Sequence, residues 1–364
     1  MTELLENLLR RVVALDASDL HIKANNPPVF RVRGDLGRAD MPALTEQHTH
    51  EMLTRILTVE PLLRLYNFKE VDLSVQVPGA ARFRVNLYWQ RGKVGGVFRL
   101  IPFKIRTIDE LRLPQVTKGL CLLPRGLVLV TGPTGSGKST SLAAMIHHIN
   151  HNVRRNIITI EDPIEYVHTD DRSIINQREL GTDTHSFSES LRHVMRQNPD
   201  VILVGEMRDL ETIQLAITAA ETGHLVFSTL HTIDAAQTID RIVDVFDSSQ
   251  QAQIRTQLSV TLQAVVSQTL LPLRDNSGRV AAHEVMIADQ AIRNMIRDGR
   301  THQVVSQIQG GGDIGMTTLD NSLLQLLRER KIDYEHALTK SANTSEFHAR
   351  ALKEGLAEET ALAH

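Results

Sequence analysis

Leu127-Val128-Leu129-Val130-Thr131-Gly132-Pro133-Thr134-Gly135-Ser136-Gly137-Lys138-Ser139-Thr140 is the stretch on which the reading of the chain turns. Its opening apolar residues read as a short buried strand. From Gly132 to Ser139 it satisfies G-x-x-x-x-G-K-[ST]. Leu142, Met145, Ile146 and Ile149 then recur at i, i+3, i+4, i+7, the apolar stripe of a helix. Strand, glycine-rich loop and helix is the setting in which this pattern cradles phosphate. The glycines let the run Gly132, Pro133, Thr134, Gly135, Ser136, Gly137 curl so that backbone N–H groups point inward. Lys138 is placed to reach the β- and γ-phosphates, and the Ser139 hydroxyl to hold Mg²⁺. The positive end of the helix, beginning around Thr140, adds to the attraction. The ligand implied is a nucleoside triphosphate with Mg²⁺, ATP if the chain is an ATPase.

Working outward, strands alternate with helices from Arg125 onward, the pattern of an α/β core. Ile157-Ile158-Thr159-Ile160 is a buried strand ending in Glu161-Asp162-Pro163-Ile164-Glu165. Ser186-Phe187-Ser188-Glu189 is a capping box that opens a helix. Val201-Ile202-Leu203-Val204 is another buried strand, running into Gly205-Glu206. In a P-loop ATPase one strand-end carboxylate stands near Mg²⁺ and another orients or deprotonates the attacking water. Glu161, Asp162, Glu165 and Glu206 are the candidates, and spacing alone leaves the roles open. His224 and His231 flank the strand around Leu225–Thr229, with no third ligand nearby at metal spacing. Phosphate sensing or a subunit contact fits them better than a metal. Beyond residue 240 the sequence reads as mostly helical, with a strand near 279–287 and a helix around 319–330. The polar, Ala/Glu-rich last ~20 residues are expected to fray.

Toward the amino terminus, residues 1 to about 100 read as a small α+β domain. Leu4, Leu5, Leu8, Leu9, Val12 and Val13 fit an amphipathic helix, and Thr45 a cap for a helix carrying Met52, Leu53, Ile56 and Leu57. Alternating stretches at 71–77 and 82–90 read as strands, followed by a third ending near 101. Arg82, Arg84 and Arg99 leave the apolar face; they form either a solvated surface or arginine fingers for a neighbour's ATP. Pro102, Pro114 and Pro124 punctuate a bridge between the domains. With 364 residues, a net charge of −3 and 41% apolar residues, the chain has the composition of an ordinary folded protein and not of a nucleic-acid binder. One cysteine, Cys121, excludes an internal disulfide and suits a reducing compartment. No apolar run reaches the ~18 residues of a membrane span. The charged N-terminus is not a signal peptide.

The phosphate loop, the acidic box 159–166, the stretch 203–209 and the histidine box 223–232 together resemble the secretion ATPases. These are the hexameric RecA-like motors of type II secretion and type IV pili. The resemblance runs from Ala17-Ser18-Asp19-Leu20-His21 to about Lys340 and is nearest to the branch that retracts pili. It implies a RecA-like P-loop core at 125–364, joined by a linker at 102–124 to a smaller PAS-like α+β domain at 1–101. It implies a cytoplasmic homo-hexamer, peripheral at the inner membrane of a bacterium and docked on a platform protein. No nucleic acid is involved, and membrane contact is made only through partners. By the same resemblance Glu165 is the favoured catalytic base, and Glu206 holds Mg²⁺ directly or through water, beside Lys138 and Ser139. His231 joins the catalytic set, and Arg84 and Arg99 act as fingers across subunits. Extension and secretion motors carry an added amino-terminal domain and usually a four-cysteine insertion; this chain shows neither. Residues 291–297 resemble the retraction signature, with Ile292, Met295 and Ile296 on one stripe and Arg293 and Arg297 on a solvated face. Removing both arginines is therefore expected to leave the fold intact. The accessory retraction motor, whose longer tail is similar, and a nucleotide-switched docking module are the alternatives.

Overall fold

A computed structural model describes residues 1–32, 34–101 and 105–357. The chain forms two compact units, Met1–Lys104 with Pro163–Val167, and Ile105–Asp162 with His168–His364.

The first unit runs α1 (Glu3–Ala14), β1 (Ala17–Lys23), β2 (Val29–Val32), β3 (Asp35–Arg38), α2 (Glu46–Thr54), α3 (Val59–Phe68), β4 (Glu70–Val77), β5 (Ala81–Gln90) and β6 (Lys93–Ile101). Its six strands form one antiparallel sheet in the order β3-β2-β1-β6-β5-β4. Leu5, Leu8, Leu9 and Val12 of α1 pack into one core with Phe83, Val85, Leu87 and Phe98. Leu4 and Val13, expected on the same face, are about 40% exposed. Thr45 caps α2 by accepting from the His48 N–H at 3.2 Å, but the helix ends at Thr54. Ile56 and Leu57 therefore pack against the core from the following turn. The other face of the sheet carries a polar row in cross-strand register: Arg31, Asp19, Arg99, Arg84 and Ser74. Directly opposed residues share a face, so this row is one continuous strip.

The second unit continues with α4 (Val116–Cys121), β7 (Gly126–Thr131), α5 (Lys138–Asn152), β8 (Asn156–Glu161), β9 (Ile174–Glu179), α6 (Phe187–Val194) and β10 (Val201–Val204). Then come α7 (Leu210–Glu221), β11 (Leu225–Leu230), α8 (Ala235–Asp244), α9 (Ser248–Thr261), β12 (Leu262–Pro272) and β13 (Arg279–Ile287). It ends with α10 (Gln290–Arg297), α11 (Val304–Gly310), α12 (Leu319–Arg328), α13 (Tyr334–Lys340) and α14 (Thr344–Lys353). The seven-stranded sheet has the order β13-β12-β7-β11-β10-β8-β9, parallel except for β13. Every residue of β7 is buried, as a central strand with layers on both faces requires.

Three expectations change here. Residues 105–124 are more than a bridge: Ile108, Leu113, Leu120 and Cys121 share a core with Val128, Val130 and Leu142. Residues 262–272, taken as helical, form the strand β12 beside the phosphate-loop strand. The tail does not fray as a whole. Asn343 caps α14, which buries Phe347, His348 and Ala351 at i, i+1, i+4; residues 358–364 lie outside the described residues.

Candidate functional site

In a parallel sheet, ligands bind at the carboxyl ends of the strands. The ends of β7, β11 and β10 carry Gly132, His231 and Glu206 side by side, because these three strands are neighbours. Gly132 has φ +140°, and a Cβ there would stand 2.2 Å from the Gln268 carbonyl oxygen, so only glycine lets the loop leave the sheet at this point. Gly137, at φ +90°, turns the loop into α5 without a side-chain cap. The first-turn N–H groups of α5 thus have no capping side chain at Gly137, the arrangement that attracts anions.

Lys138 lies across the loop and donates to the carbonyls of Gly132 at 2.8 Å and Pro133 at 3.1 Å. Its Nζ is also 3.4 Å from His231 Nδ1. An ammonium only donates, so Nδ1 accepts, and the ring proton sits on Nε2. Nε2 stands 3.0 Å from Glu206 Oε1, while Arg208 donates to Glu206 Oε2 at 2.8 Å. Lys138, His231, Glu206 and Arg208 are one linked chain. Burial alone would raise the pKa of Glu206, but the Arg208 hydrogen bond and the charges of Arg208 and Lys138 outweigh it and hold the carboxyl low. Glu206 is therefore ionised.

The other candidates are placed differently. Glu161 accepts from Thr159 Oγ1 at 2.6 Å and from Gln177 Nε2 at 3.0 Å, across the β8–β9 pairing. Asp162 is exposed. Glu165 is exposed on Pro163–Val167, the segment belonging to the first unit. His224 lies at the opposite end of β11 from His231, and its Nδ1 is 2.9 Å from the Ala219 carbonyl at the end of α7. That is a helix-end contact, remote from the loop. In the first unit Arg99 Nε donates to Asp19 Oδ1 at 2.9 Å. Burial would raise Asp19, but hydrogen bonds from Arg99 and Ser18 hold its pKa below the ordinary value. Arg82 donates to Ser74 Oγ at 2.6 Å. Arg84 stands beside Arg99 in the strip.

Two further features lie beyond what the sequence reading anticipates. Gln268 and Ser267 on β12 touch the loop: Ser267 Oγ is 2.8 Å from Thr131 Oγ1, and Gln268 is buried against Ser136. A β-branched pair, Val265-Val266, was the available signal, cut short by the polar Ser267 and Gln268 that follow it. A cleft of about 410 Å³ also opens beside the loop. It shares Gly137, Thr140 and Ser141 with the loop, is lined by apolar Leu111, Leu113 and Leu270, and is edged by Arg106, Arg112 and Arg279. An apolar slot with cationic edges adjoining a phosphate loop suits a nucleoside.

The signature helix differs from expectation. Ile292 and Ile296 are fully buried and Met295 packs against the same core. Arg293 is not a solvated residue: it donates to the carbonyls of Ser259 at 2.8 Å and Val260 at 3.1 Å, and to Gln263 Oε1 at 3.0 Å. Arg297 is exposed.

Against known proteins, residues 1–328 match the family model described as Type II/IV secretion system protein. The chain is 52% identical over 325 residues to the type IV pilus retraction ATPase PilT of Pseudomonas aeruginosa, covering 89% of this chain and 94% of that one. The type IV pilus ATPase PilU of the same organism is 40% identical over 341 residues, 94% and 89% of the two chains. A crystal structure of the pilus retraction motor PilT with bound ADP superposes with a TM-score of 0.89 at 45% identity, covering 94% and 98%.

Proposed function

The chain belongs to the family of type II/IV secretion system proteins, and from that premise we propose that it is the ATPase motor that drives retraction of type IV pili. The observation that carries the reading is the linked set Lys138, His231 and Glu206 at the ends of three adjacent strands around a phosphate loop. The loop N–H groups and the start of α5 hold the β- and γ-phosphates, Lys138 neutralises them, and the neighbouring cleft takes the nucleoside. His231, bonded to both Lys138 and Glu206, senses whether Lys138 is engaged with phosphate.

The donors suit Mg²⁺: a hard cation takes oxygen ligands, and the exposed Ser139 hydroxyl and the ionised Glu206 carboxylate supply them. When bound, Mg²⁺ neutralises charge on the phosphate oxygens. Glu165 is the base that activates water, and Arg84 and Arg99 are fingers reaching a neighbour's nucleotide. That arrangement calls for a homo-hexameric ring. No helix among the described residues is long and apolar enough to cross a membrane. A ring on the cytoplasmic face of the inner membrane, docked on the platform protein of the pilus machine, accommodates this. Motion is delivered to pilins through that partner.

The test is made in cells and in vitro together. Loss of the gene gives excess, immobile surface pili, and Lys138→Ala reproduces this while abolishing ATP hydrolysis. A host that lacks the protein and still twitches normally refutes retraction. A Lys138→Ala protein that hydrolyses ATP at the parent rate refutes the loop assignment.

A further inference from the structure

Gln268 braces the phosphate loop and the start of α5 through two hydrogen bonds and one close backbone approach. Its Nε2 donates to the Ser136 carbonyl at 2.6 Å. Its Oε1 accepts from Ser141 Oγ, on the first turn of α5, at 2.8 Å. Its own carbonyl is in close approach to Gly132, where the loop begins. Strand pairing holds the residue in place: Ser267, one position earlier, is in register with Thr131, the last residue of β7. Gln268 is 3% exposed, and Ser136 is equally buried, so water does not readily replace these bonds.

We propose that Gln268 is the positioning residue that holds the loop in its phosphate-binding form, by fixing the direction of the Ser136–Gly137 peptide. The inference rests on the reading of this loop as the triphosphate site. A trans peptide carries its C=O and N–H on opposite sides of the plane. Drawing the Ser136 carbonyl onto Gln268 therefore turns the Gly137 N–H away from β12. Gly137, at φ +90°, has the freedom to let this peptide turn over once it is released. A turned-over peptide would present a carbonyl oxygen where a donor is needed, and two oxygens carrying negative charge repel. The choice of side chain follows. Only an amide of this length donates to Ser136 and accepts from Ser141 at once. A carboxylate of the same shape keeps the Ser141 bond, loses the Ser136 bond and adds a charge repelling phosphate.

The experiment measures ATP and AMP affinity by titration calorimetry, with thermal unfolding, on the full chain and four variants. Gln268→Met keeps the shape without the two hydrogen bonds and is expected to weaken ATP about tenfold, the Ser136 carbonyl being the one loop group it leaves unsatisfied, at ~1.4 kcal/mol per decade. AMP affinity, which needs less of the loop, stays within about twofold. Gln268→Glu loses on the order of a hundredfold for ATP. Ser141→Ala, which leaves the Ser136 bond in place, loses no more than about threefold. Lys138→Ala is the reference for the loop itself. Gln268→Met and Gln268→Glu proteins that bind ATP like the parent, while Lys138→Ala does not, overturn this inference and leave the loop reading standing. Equal losses for ATP and AMP in Gln268→Met also overturn it, as a packing role would give. If Lys138→Ala binds ATP like the parent, the loop reading falls and takes this inference with it.

Discussion

Replacing Arg293 by alanine removes three hydrogen bonds at the end of α9. Two go to Ser259 and Val260, whose carbonyls lie in the last helical turn and lack helical partners. The third goes to Gln263, the second residue of β12. The guanidinium also meets the negative end of the helix dipole. Hydrogen bonds to a charged group contribute ~1.5–3 kcal/mol each when buried. Arg293 is half-buried and its bonds share one group, so about 2–3 kcal/mol in total is the appropriate figure. At about 2–4 °C per kcal/mol for a unit of this size, Tm falls by roughly 5–10 °C. Arg297, exposed and bonded to Asn294 and Asp298, should cost under about 0.5 kcal/mol. Calorimetry of the two single variants separates these values. Melting of both within a degree of the parent would refute the anchoring role. A motility defect in Arg293→Ala thus mixes lost stability with lost transmission, whereas Arg297→Ala isolates transmission. That variant should hydrolyse ATP within a few-fold of the parent and fail to twitch; normal twitching would leave α10 with only its structural role.

Glu165→Gln should still bind ATP while hydrolysis falls by ~10²–10⁴, the usual cost of losing a general base; a parent-like rate moves the assignment to Glu161 or Glu206. Arg84→Ala should be inactive alone and regain part of its activity when mixed with Lys138→Ala, since mixed interfaces restore one intact site; no recovery in rings of confirmed mixed composition argues against fingers in trans. Burial raises Glu284 from 4.5 to about 7 and lowers neighbouring His283 from 6.5 to about 4. Folded Glu284 keeps a proton that the unfolded carboxyl releases, so its contribution falls as pH rises from about 4.5 to 7. Folded His283 refuses a proton that the unfolded ring takes up, so its contribution is lost as pH falls from about 6.5 to 4. The two slopes oppose one another. Glu284→Gln should gain on the parent by up to about 1.4 kcal/mol per pH unit across 4.5 to 7, read by denaturant unfolding; parallel profiles would contradict the burial argument.

The core of the second unit was legible because buried parallel strands announce themselves as short apolar runs: 127–130, 157–160, 201–204 and 225–227 are all strand interiors. The phosphate loop was legible because its glycines and lysine stand at fixed spacing. β12 was not, because Ser267 and Gln268 interrupt its apolar run, and both are polar for the sake of the loop they touch. Arg293 was misread for a related reason. Helical periodicity places it off the Ile292–Ile296 stripe, but the end of α9 occupies that second side, and long-range neighbours leave no mark at i, i+4. The chemistry of Glu206 and His231 follows from strand order, since β10 and β11 must be adjacent before the two residues can meet. Strand order is a tertiary property that local pattern does not contain.

The single cysteine has a practical meaning for anyone who wants to watch this molecule move. Cys121 is fully buried at the end of α4, and burial pushes its thiol pKa far up. At neutral pH it presents no thiolate, the species that reacts with maleimides and iodoacetamides. The native protein is therefore already silent toward such dyes. One introduced thiol, for example Arg297→Cys on the exposed side of α10, would be the sole reactive position, and fluorescence could follow that helix through a nucleotide cycle without first rebuilding the core around Cys121.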